Sequence, residues 1–513
     1  LIHKVPEFAD FQTAAATSDM VALCTPVAFD HETAVTLADR FVDEPYFFLL
    51  ESAASGPNSR YSFLGFDPIW TWSIHDCASG TAEFNEYSED TKTVITQHIT
   101  AKNPIIALRE VMKKWKVATA YPKGIRLGGP DTAAMLGATG FFGFDVGQAL
   151  EPSIGKPPPK SLGVPDAAFF LPRQFLVVDH LSRRLFVGRN VPVPTSERGE
   201  TALRKLYDQE IAALRQQLSR LEQPHRCPTL DLVEAPLDFQ RFDAVLTESE
   251  FLTLGKRCLE AVKAGEVFQI QISNRLSCDT SARPFDIFRH LRMLNPSPYM
   301  FFYKWGEHHL VGASPEMMVG VQARQITHRP IAGTRRRTWE PERDATMRSE
   351  LVESKKERAE HVMLVDLARN DIGRIAAPGT VRVEELMTVE EYSHVFHMVS
   401  QVVGTLPPDK DAYDAMQVSF PNGTVSGAPK IRAMQLIYEL EKVGREFYAG
   451  SLGMFDSLGN LRSTLLIRTI HVAKGRASTQ AAAGFVYDSV PEQEWLETRN
   501  KMAACLLAIQ NIT

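Results

Sequence analysis

Residues 354–371 read SKKERAEHVMLVDLARND. Glu357 and Glu360 stand three apart, so on a helix they share one face. The apolar run Val362, Met363, Leu364, Val365 and Leu367 follows at once and would anchor that helix in a core. Two carboxylates on a buried scaffold are costly unless something cationic meets them, and a hard divalent ion such as Mg²⁺ takes oxygen ligands. For a single E-x-x-E the ordinary reading is a charged helix face in contact with water. A second such pair, Glu494 and Glu497, stands in SVPEQEWLETRNK (489–501), with Trp495 and Leu496 as the expected packing face. Two anchored pairs meeting across a cleft would hold one metal ion, a coincidence that surface charge does not produce on its own.

The segments between these helices read mostly as strands and turns. VFQIQIS (267–273) alternates strictly, so Phe268, Ile270 and Ile272 face one way while Gln269 and Gln271 face the other. It follows a helix opened by Thr247 and Glu250 in a capping box and closed at Gly265. NPSPYMFFY (295–303) is a proline-stiffened turn into an aromatic strand, and GASPEMM (312–318) sets Glu316 beside a tight turn. RPIAGTRRR (329–337) offers small residues before a basic cluster, suited to a carboxylate or phosphate or to plain solvation. In EEYSHVFHMVSQVVG (390–404), His394 and His397 sit in a mostly apolar segment, where a core histidine is the ordinary reading. PNGTVSGAPKIRAM (421–434) is a glycine-rich loop entering a helix, which is able to cradle an anion or simply to turn. LLIRTI (465–470) reads as an apolar strand that buries Arg468, and a buried arginine calls for an anionic partner.

The first half is strand-rich. YFFLL (46–50) and YSFL (61–64) are short apolar runs, and the glycines of LGATGFFGFDVG (136–147) are expected at close strand contacts, since no G-K-[ST] follows them. Residues 169–179 and 184–188 read as a strand pair, and 201–221 as a charged helix. EQPHRCPTLDLVEAPLD (222–238) is the expected linker between halves.

With 513 residues the chain exceeds one ordinary core. It is 44% hydrophobic and 23% charged with a net charge of −6 of mixed sign, which favours neither nucleic acid nor a membrane as partner. Six scattered cysteines without a C-x-x-C pair are expected to be reduced thiols of a cytoplasmic protein. No basic stretch followed by an apolar run opens the sequence, so no secretory signal is expected there.

Taken together, PIAGTRRR, SKKERAEHVMLVDLARND, YSHVFHMVSQV, GTVSGAPKIRAM and DSVPEQEWLETRNK resemble the chorismate-utilising enzymes, and within them the component I branch of the anthranilate synthases. LLES, RYSFLG and GFFGFD extend the likeness into the first half. The resemblance implies an α+β fold of large mixed and antiparallel β-sheets with helices packed outside, two-layered as in chorismate-utilising enzymes. Residues 1–235 would form a regulatory and structural region, and residues 236–513 the chorismate-binding catalytic domain.

It further implies that Glu360 and Glu497 ligate Mg²⁺, with Glu357 and Glu494 in support. Glu316 would be the general acid for the departing C4 hydroxyl, and His397 would serve the elimination of pyruvate. Gly333, Thr334, Tyr448, Arg468, Gly484, Gln269 and Thr424 would bind substrate. Relatives that add water at C2 carry a lysine where this chain has Gln269. Relatives forming 4-amino-4-deoxychorismate carry one in place of Ala332. Both positions therefore point to ammonia attacking C2 directly.

No G-x-C-x-G elbow is present, so a separate glutamine amidotransferase subunit is the implied ammonia source, with free ammonium as a substitute. Ser52, Pro298, Tyr299 and Met300 match motifs of a tryptophan effector pocket, while Met454 and Arg462 depart from it and Ala482 replaces a glycine of the family's QAGAG. A synthase that stops at 2-amino-2-deoxyisochorismate shares most of these features. An inactive regulatory subunit would not need the intact set of Glu316, His397 and the four glutamates.

Overall fold

The structure, a computed structural model, describes residues 4–52, 60–88, 94–120, 137–230, 235–392 and 395–512. His394, Leu136 and residues 231–234 of the expected linker lie outside the described residues, as does the side chain of Thr334. Helices and mainly antiparallel strands alternate along the chain, giving the α+β class expected.

The two parts of the chain share their sheets. Tyr46–Glu51 pairs with Tyr61–Ile74 on one side and with Tyr299–Trp305 on the other, Glu51 standing opposite Met300. Ala138–Phe142 pairs likewise with Ser451–Phe455. The close approach anticipated for the glycines is real: a Cβ on Gly140 would stand 2.0 Å from the Ala168 carbonyl oxygen. Ala167–Asp179 and Arg184–Pro192 form the anticipated hairpin. Among the described residues two large apolar cores each draw on both parts of the chain; Trp70, Phe142 and Phe485 belong to one, Phe47, Phe302 and Leu506 to the other, and a third, small cluster holds Leu351, Phe396 and Met398.

In the second part, Glu248–Lys263 carries the Thr247–Glu250 capping box, and Gly265 follows its end at φ +77°. The strand Gln269–Asp279 pairs antiparallel with Arg476–Phe485, setting Gln271 opposite Gly484. Ile270 and Ile272 are fully buried, but Phe268 precedes the strand and is 75% exposed, because the ladder with Arg476–Phe485 begins only at Ile270. Ile331–Arg336 and Arg382–Glu391 flank Val395–Thr405, with a register shift at Gly333.

The carboxylate helices are Lys355–Gly373 and Pro491–Gln510. Each hides a narrower stripe than its sequence suggests: Leu364, Val365 and Trp495 are buried, whereas Val362 and Leu496 face outward. The reason is geometric, since successive helical residues lie about 100° apart and a contiguous apolar run cannot all face one core. Residues 465–470 are likewise not one strand. Leu461–Leu465 ends, the chain turns through Arg468 at φ +51°, and Thr469–Ala473 begins a new strand. That turn carries the Arg468 side chain out of the ladder toward the residues described next.

Candidate active site

Glu316 lies between His308–Ser314 and Met317–Gln322, and only 8% of it is exposed. Its backbone carbonyl accepts from the Thr464 hydroxyl at 2.7 Å and from the Leu465 N–H at 3.1 Å, which locks the turn. Burial pushes the Glu316 carboxyl up to about 7, against the opposing pull of the Thr424 hydroxyl and the Lys501 charge. Thr424 belongs to the single turn Gly423–Ser426, opened by Asn422, whose side-chain oxygen accepts from the Thr424 N–H at 3.0 Å. A cavity lined by Glu316, Thr424, Asn422, His328, Asp371 and Leu367 adjoins the carboxyl. This is a protonatable acid in a sheltered site, as a general acid requires.

Lys501 connects Glu316 to the C-terminal carboxylates. Its ammonium donates to the Ala482 carbonyl at 2.9 Å and pairs with Glu497 at 2.6 Å, one helical turn away. Ala482 therefore still presents its backbone oxygen to the site, despite its added methyl. Arg468 donates to the Lys501 carbonyl and is attracted by Glu497 and Tyr448; burial pulls its guanidinium below its usual value. Tyr448 is buried and its phenol is raised to about 12, chiefly by desolvation, so it is a hydrogen-bond donor at neutral pH. Glu494 is buried in the first turn of its helix, where the N-terminal dipole favours an anion, while Glu497 is half-exposed at the rim.

The other side is built on the bulged strand Ile331–Arg336. Gly333 adopts φ +70°, and a Cβ there would stand 2.7 Å from Leu351 Cδ1 and 3.1 Å from Glu357 Oε2. Only glycine lets the helix Lys355–Gly373 come this close. Glu357 accepts from Arg335 at 3.2 Å, and Glu360 follows one turn later, partly buried. His397, whose backbone pairs with Thr334, has Nδ1 3.3 Å from the Gly333 carbonyl oxygen. With Nδ1 as the donor, Nε2 is left as an acceptor. Desolvation and Arg468 lower the His397 pKa, opposed by the Gly333 carbonyl and Glu390, so the ring is neutral at physiological pH. The Tyr392 ring packs edge-on against it at 5.3 Å, and Tyr392 donates in turn to Glu390 at 2.7 Å.

Contacts and charge interactions thus link Glu316, Thr424, Glu497, Arg468, Tyr448, His397, Gly333 and Glu357. Gln269 and Gln271 join them at Gly484, where a Cβ would stand 2.8 Å from both amide nitrogens. Arg335, from the basic cluster of RPIAGTRRR, and Lys501, which the sequence did not single out, each neutralise one of the glutamates. The i,i+4 spacing of Glu497 and Lys501 was the available signal for the first.

Carboxylate oxygens are the ligand type Mg²⁺ takes, and in donor chemistry the four glutamates fit it. Two of them face protein cations, and among the described residues no three of the four bring oxygens within 4.8 Å of one another. The one close group of that kind, Asp39, His225 and Cys227, has its carboxylate already engaged by the Arg226 N–H and by Arg283.

Of the residues matched to an effector pocket, Ser52 follows the strand Tyr46–Glu51, its hydroxyl buried without a partner among the described residues. Next to it Glu51 pairs with Arg292. Tyr299 is turned the other way, toward Arg329, Glu390 and Glu316. Met454 is buried in Ser451–Phe455, opposite Thr139 and Arg462.

A family model described as chorismate binding enzyme matches residues 59–507. The chain is 36% identical over 512 residues to anthranilate synthase component 1 of Acetivibrio thermocellus, covering 98% of each chain. It is 37% identical over 531 residues to the protein of the same name from Streptomyces coelicolor, covering 99% of this chain and 95% of that one. Among solved structures it is similar to anthranilate synthase component I from Streptococcus pneumoniae, with a TM-score of 0.72 and 35% identity over 88% of this chain and 93% of the other. None of the described helices is long and apolar enough to cross a membrane.

Proposed function

The chain belongs to the chorismate binding enzyme family, and we propose that it carries out the reaction of anthranilate synthase component I, converting chorismate and ammonia to anthranilate, pyruvate and water. The observation that carries this reading is the buried, protonatable Glu316 beside Lys501, whose backbone carbonyl holds Arg468, which in turn interacts with Tyr448 and a neutral His397. Cationic and hydrogen-bonding groups of this kind suit a dicarboxylate. Ammonia forms the new C–N bond at C2 as the C4 hydroxyl departs; Glu316 gives that hydroxyl its proton, so it leaves as water, and the ammonium formed at C2 releases a proton to solvent, leaving the amine. His397, with Nε2 unprotonated, then takes the C2 proton. The enolpyruvyl C–O bond breaks, pyruvate leaves after protonation of its methylene, and the ring becomes aromatic.

Glu360 and Glu497 would hold Mg²⁺, with Glu357 and Glu494 behind them; when bound, the ion supplies positive charge to the ring carboxylate and the leaving hydroxyl. Arg335 and Lys501 occupy Glu357 and Glu497 until then. Ammonia reaches the site from a separate glutamine amidotransferase subunit or from free ammonium. Tryptophan would act from the side of Ser52, Pro298 and Met300, and the cytoplasm is the expected compartment.

The test is to supply chorismate, Mg²⁺ and ammonium and to follow anthranilate fluorescence and released pyruvate together. Equal amounts of both are expected. An amino product without pyruvate would instead assign the chain to 2-amino-2-deoxyisochorismate synthesis, and no turnover at all would make it a regulatory subunit. Adding tryptophan to the same assay tests the effector site.

A further inference from the structure

Proton removal from C2 by His397 depends on where Nε2 points, because a general base must come within hydrogen-bond reach of the proton it takes. The Nδ1 contact to the Gly333 carbonyl, at 3.3 Å, is longer than the usual range of roughly 2.7–3.2 Å. Rotation about the bond to the imidazole ring also has broad, roughly two-fold preferences, so the rotamer does not settle the ring plane. What packs against the ring therefore bears directly on the chemistry. His397 stands opposite Glu390 on the adjoining strand Arg382–Glu391, and Tyr392 follows the end of that strand.

Tyr392 sets its ring edge-on to the imidazole, with 5.3 Å between centroids and 68° between planes, which lies within the favoured geometry of an aromatic pair. Its own place is fixed from three directions. The N–H donates to the Val395 carbonyl at 2.9 Å, the carbonyl accepts from Arg337 at 2.9 Å, and the hydroxyl donates to Glu390 Oε2 at 2.7 Å. The other carboxylate oxygen of Glu390 accepts from Arg329. Arg329 in turn lines the cavity beside Glu316. A chain of contacts thus runs from the wall of the acid's cavity, through Glu390 and Tyr392, to the ring of the base.

The phenol is not itself placed for acid–base chemistry. Burial and the Glu390 charge push its pKa above the ordinary tyrosine value, so it stays protonated, and its proton is committed to Glu390. The aromatic edge is what remains to act on His397. We infer that Tyr392, clamped through its hydroxyl by the Arg329–Glu390 pair, is a positioning residue for His397 and decides whether the reaction runs on to pyruvate or stops at the amino intermediate. This rests on the proposed function, which supplies the two steps.

The test compares the full chain with Tyr392→Leu, which removes the ring, and with Tyr392→Phe, which keeps the ring and releases it from Glu390. Single-turnover reactions with chorismate, Mg²⁺ and ammonium, enzyme in excess, read the two steps separately as chorismate loss and pyruvate appearance. In Tyr392→Leu chorismate loss should stay within about twofold of the parent while pyruvate appears about tenfold more slowly, the cost of a misplaced base. Tyr392→Phe should slow pyruvate about threefold, the retained ring restoring most of the rate. Added to His397→Gln, Tyr392→Leu should cause no further loss, because it acts only through the imidazole. Parental pyruvate release in Tyr392→Phe and Tyr392→Leu would overturn the inference, and in Tyr392→Phe alone it suffices if the leucine variant does not fold. So would a loss falling equally on both steps, the mark of a disturbed fold, or a full further tenfold loss on top of His397→Gln. A parent that consumes chorismate without releasing pyruvate would overturn the proposed reaction as well; a parent and a Tyr392→Leu variant that both release it at one rate would overturn this inference alone.

Discussion

Replacing Glu316 by Gln removes an ionisation while nearly keeping the shape of the side chain. The carboxyl, 8% exposed, titrates at about 7 instead of the ordinary 4.5 because burial disfavours its charge. A displacement of that size corresponds to roughly 3 kcal/mol at about 1.4 kcal/mol per unit. Because the folded-state pKa is raised, below pH 4.5 both folded and unfolded chains hold the proton and there is no effect. Between 4.5 and about 7 the unfolded chain loses it while the folded chain keeps it, so stability falls as pH rises, and above 7 the loss is complete. Glu316→Gln should therefore gain stability relative to the parent across that window. Thermal midpoints of the two proteins, measured from pH 4 to 8, show the direction of the difference and how it changes with pH. Activity should move the other way. Only the protonated acid can serve the leaving hydroxyl, so kcat/KM for chorismate at saturating ammonia should decline above about pH 7 in the parent. Loss of the general acid should lower that rate by about 100-fold or more in the variant and abolish the decline. A midpoint difference that stays flat with pH, or a variant that keeps the alkaline decline, would refute the assignment.

Three further outcomes follow from the same geometry. His397→Gln should still form the amino intermediate but release pyruvate about 100-fold more slowly, seen as an excess of non-fluorescent product over pyruvate by chromatography. Gly333→Ala forces a Cβ to 2.7 Å from Leu351 at φ +70° and pushes Glu357 away. It should lower the melting midpoint and, by misplacing the adjoining groups, reduce turnover about 100-fold; a variant of parental activity would show that this approach is not needed. Arg445→Met leaves Glu441 as a buried anion bonded to Ser273 with only the charge of Arg275 to offset it, and should cost about 3–5 kcal/mol. Part of that should return when Glu441→Leu is added, as read from denaturation midpoints.

Local patterns carried much of this into view. The capping box at Thr247, the hairpin of Ala167–Asp179 with Arg184–Pro192, the close-packed glycines and both E-x-x-E helices are written in neighbouring residues, and they fold as written. Apolar patterns were less informative: Phe268 stands in an alternating segment and Val362 and Leu496 in contiguous apolar stretches, yet each faces outward. Arg468 lies in a sequence with every mark of a strand, and its turn is decided by distant partners, the Lys501 carbonyl among them.

By itself, the sequence determined which residue types were available for the chemistry: paired carboxylates on two helices, a glutamine in place of a basic residue at position 269, and a glycine at 333. It did so because helix and strand periodicity depend on residues a few positions apart. Tertiary structure alone decided how those groups behave. The raised pKa of Glu316 comes from burial between segments 148 residues apart, as its bond to Thr464 records. The pairing of Glu357 with Arg335 and the meeting of Gln269 and Gln271 at Gly484 likewise depend on partners far along the chain. Desolvation and through-space charge are set by what packs around a group, and no short stretch of residues contains that information.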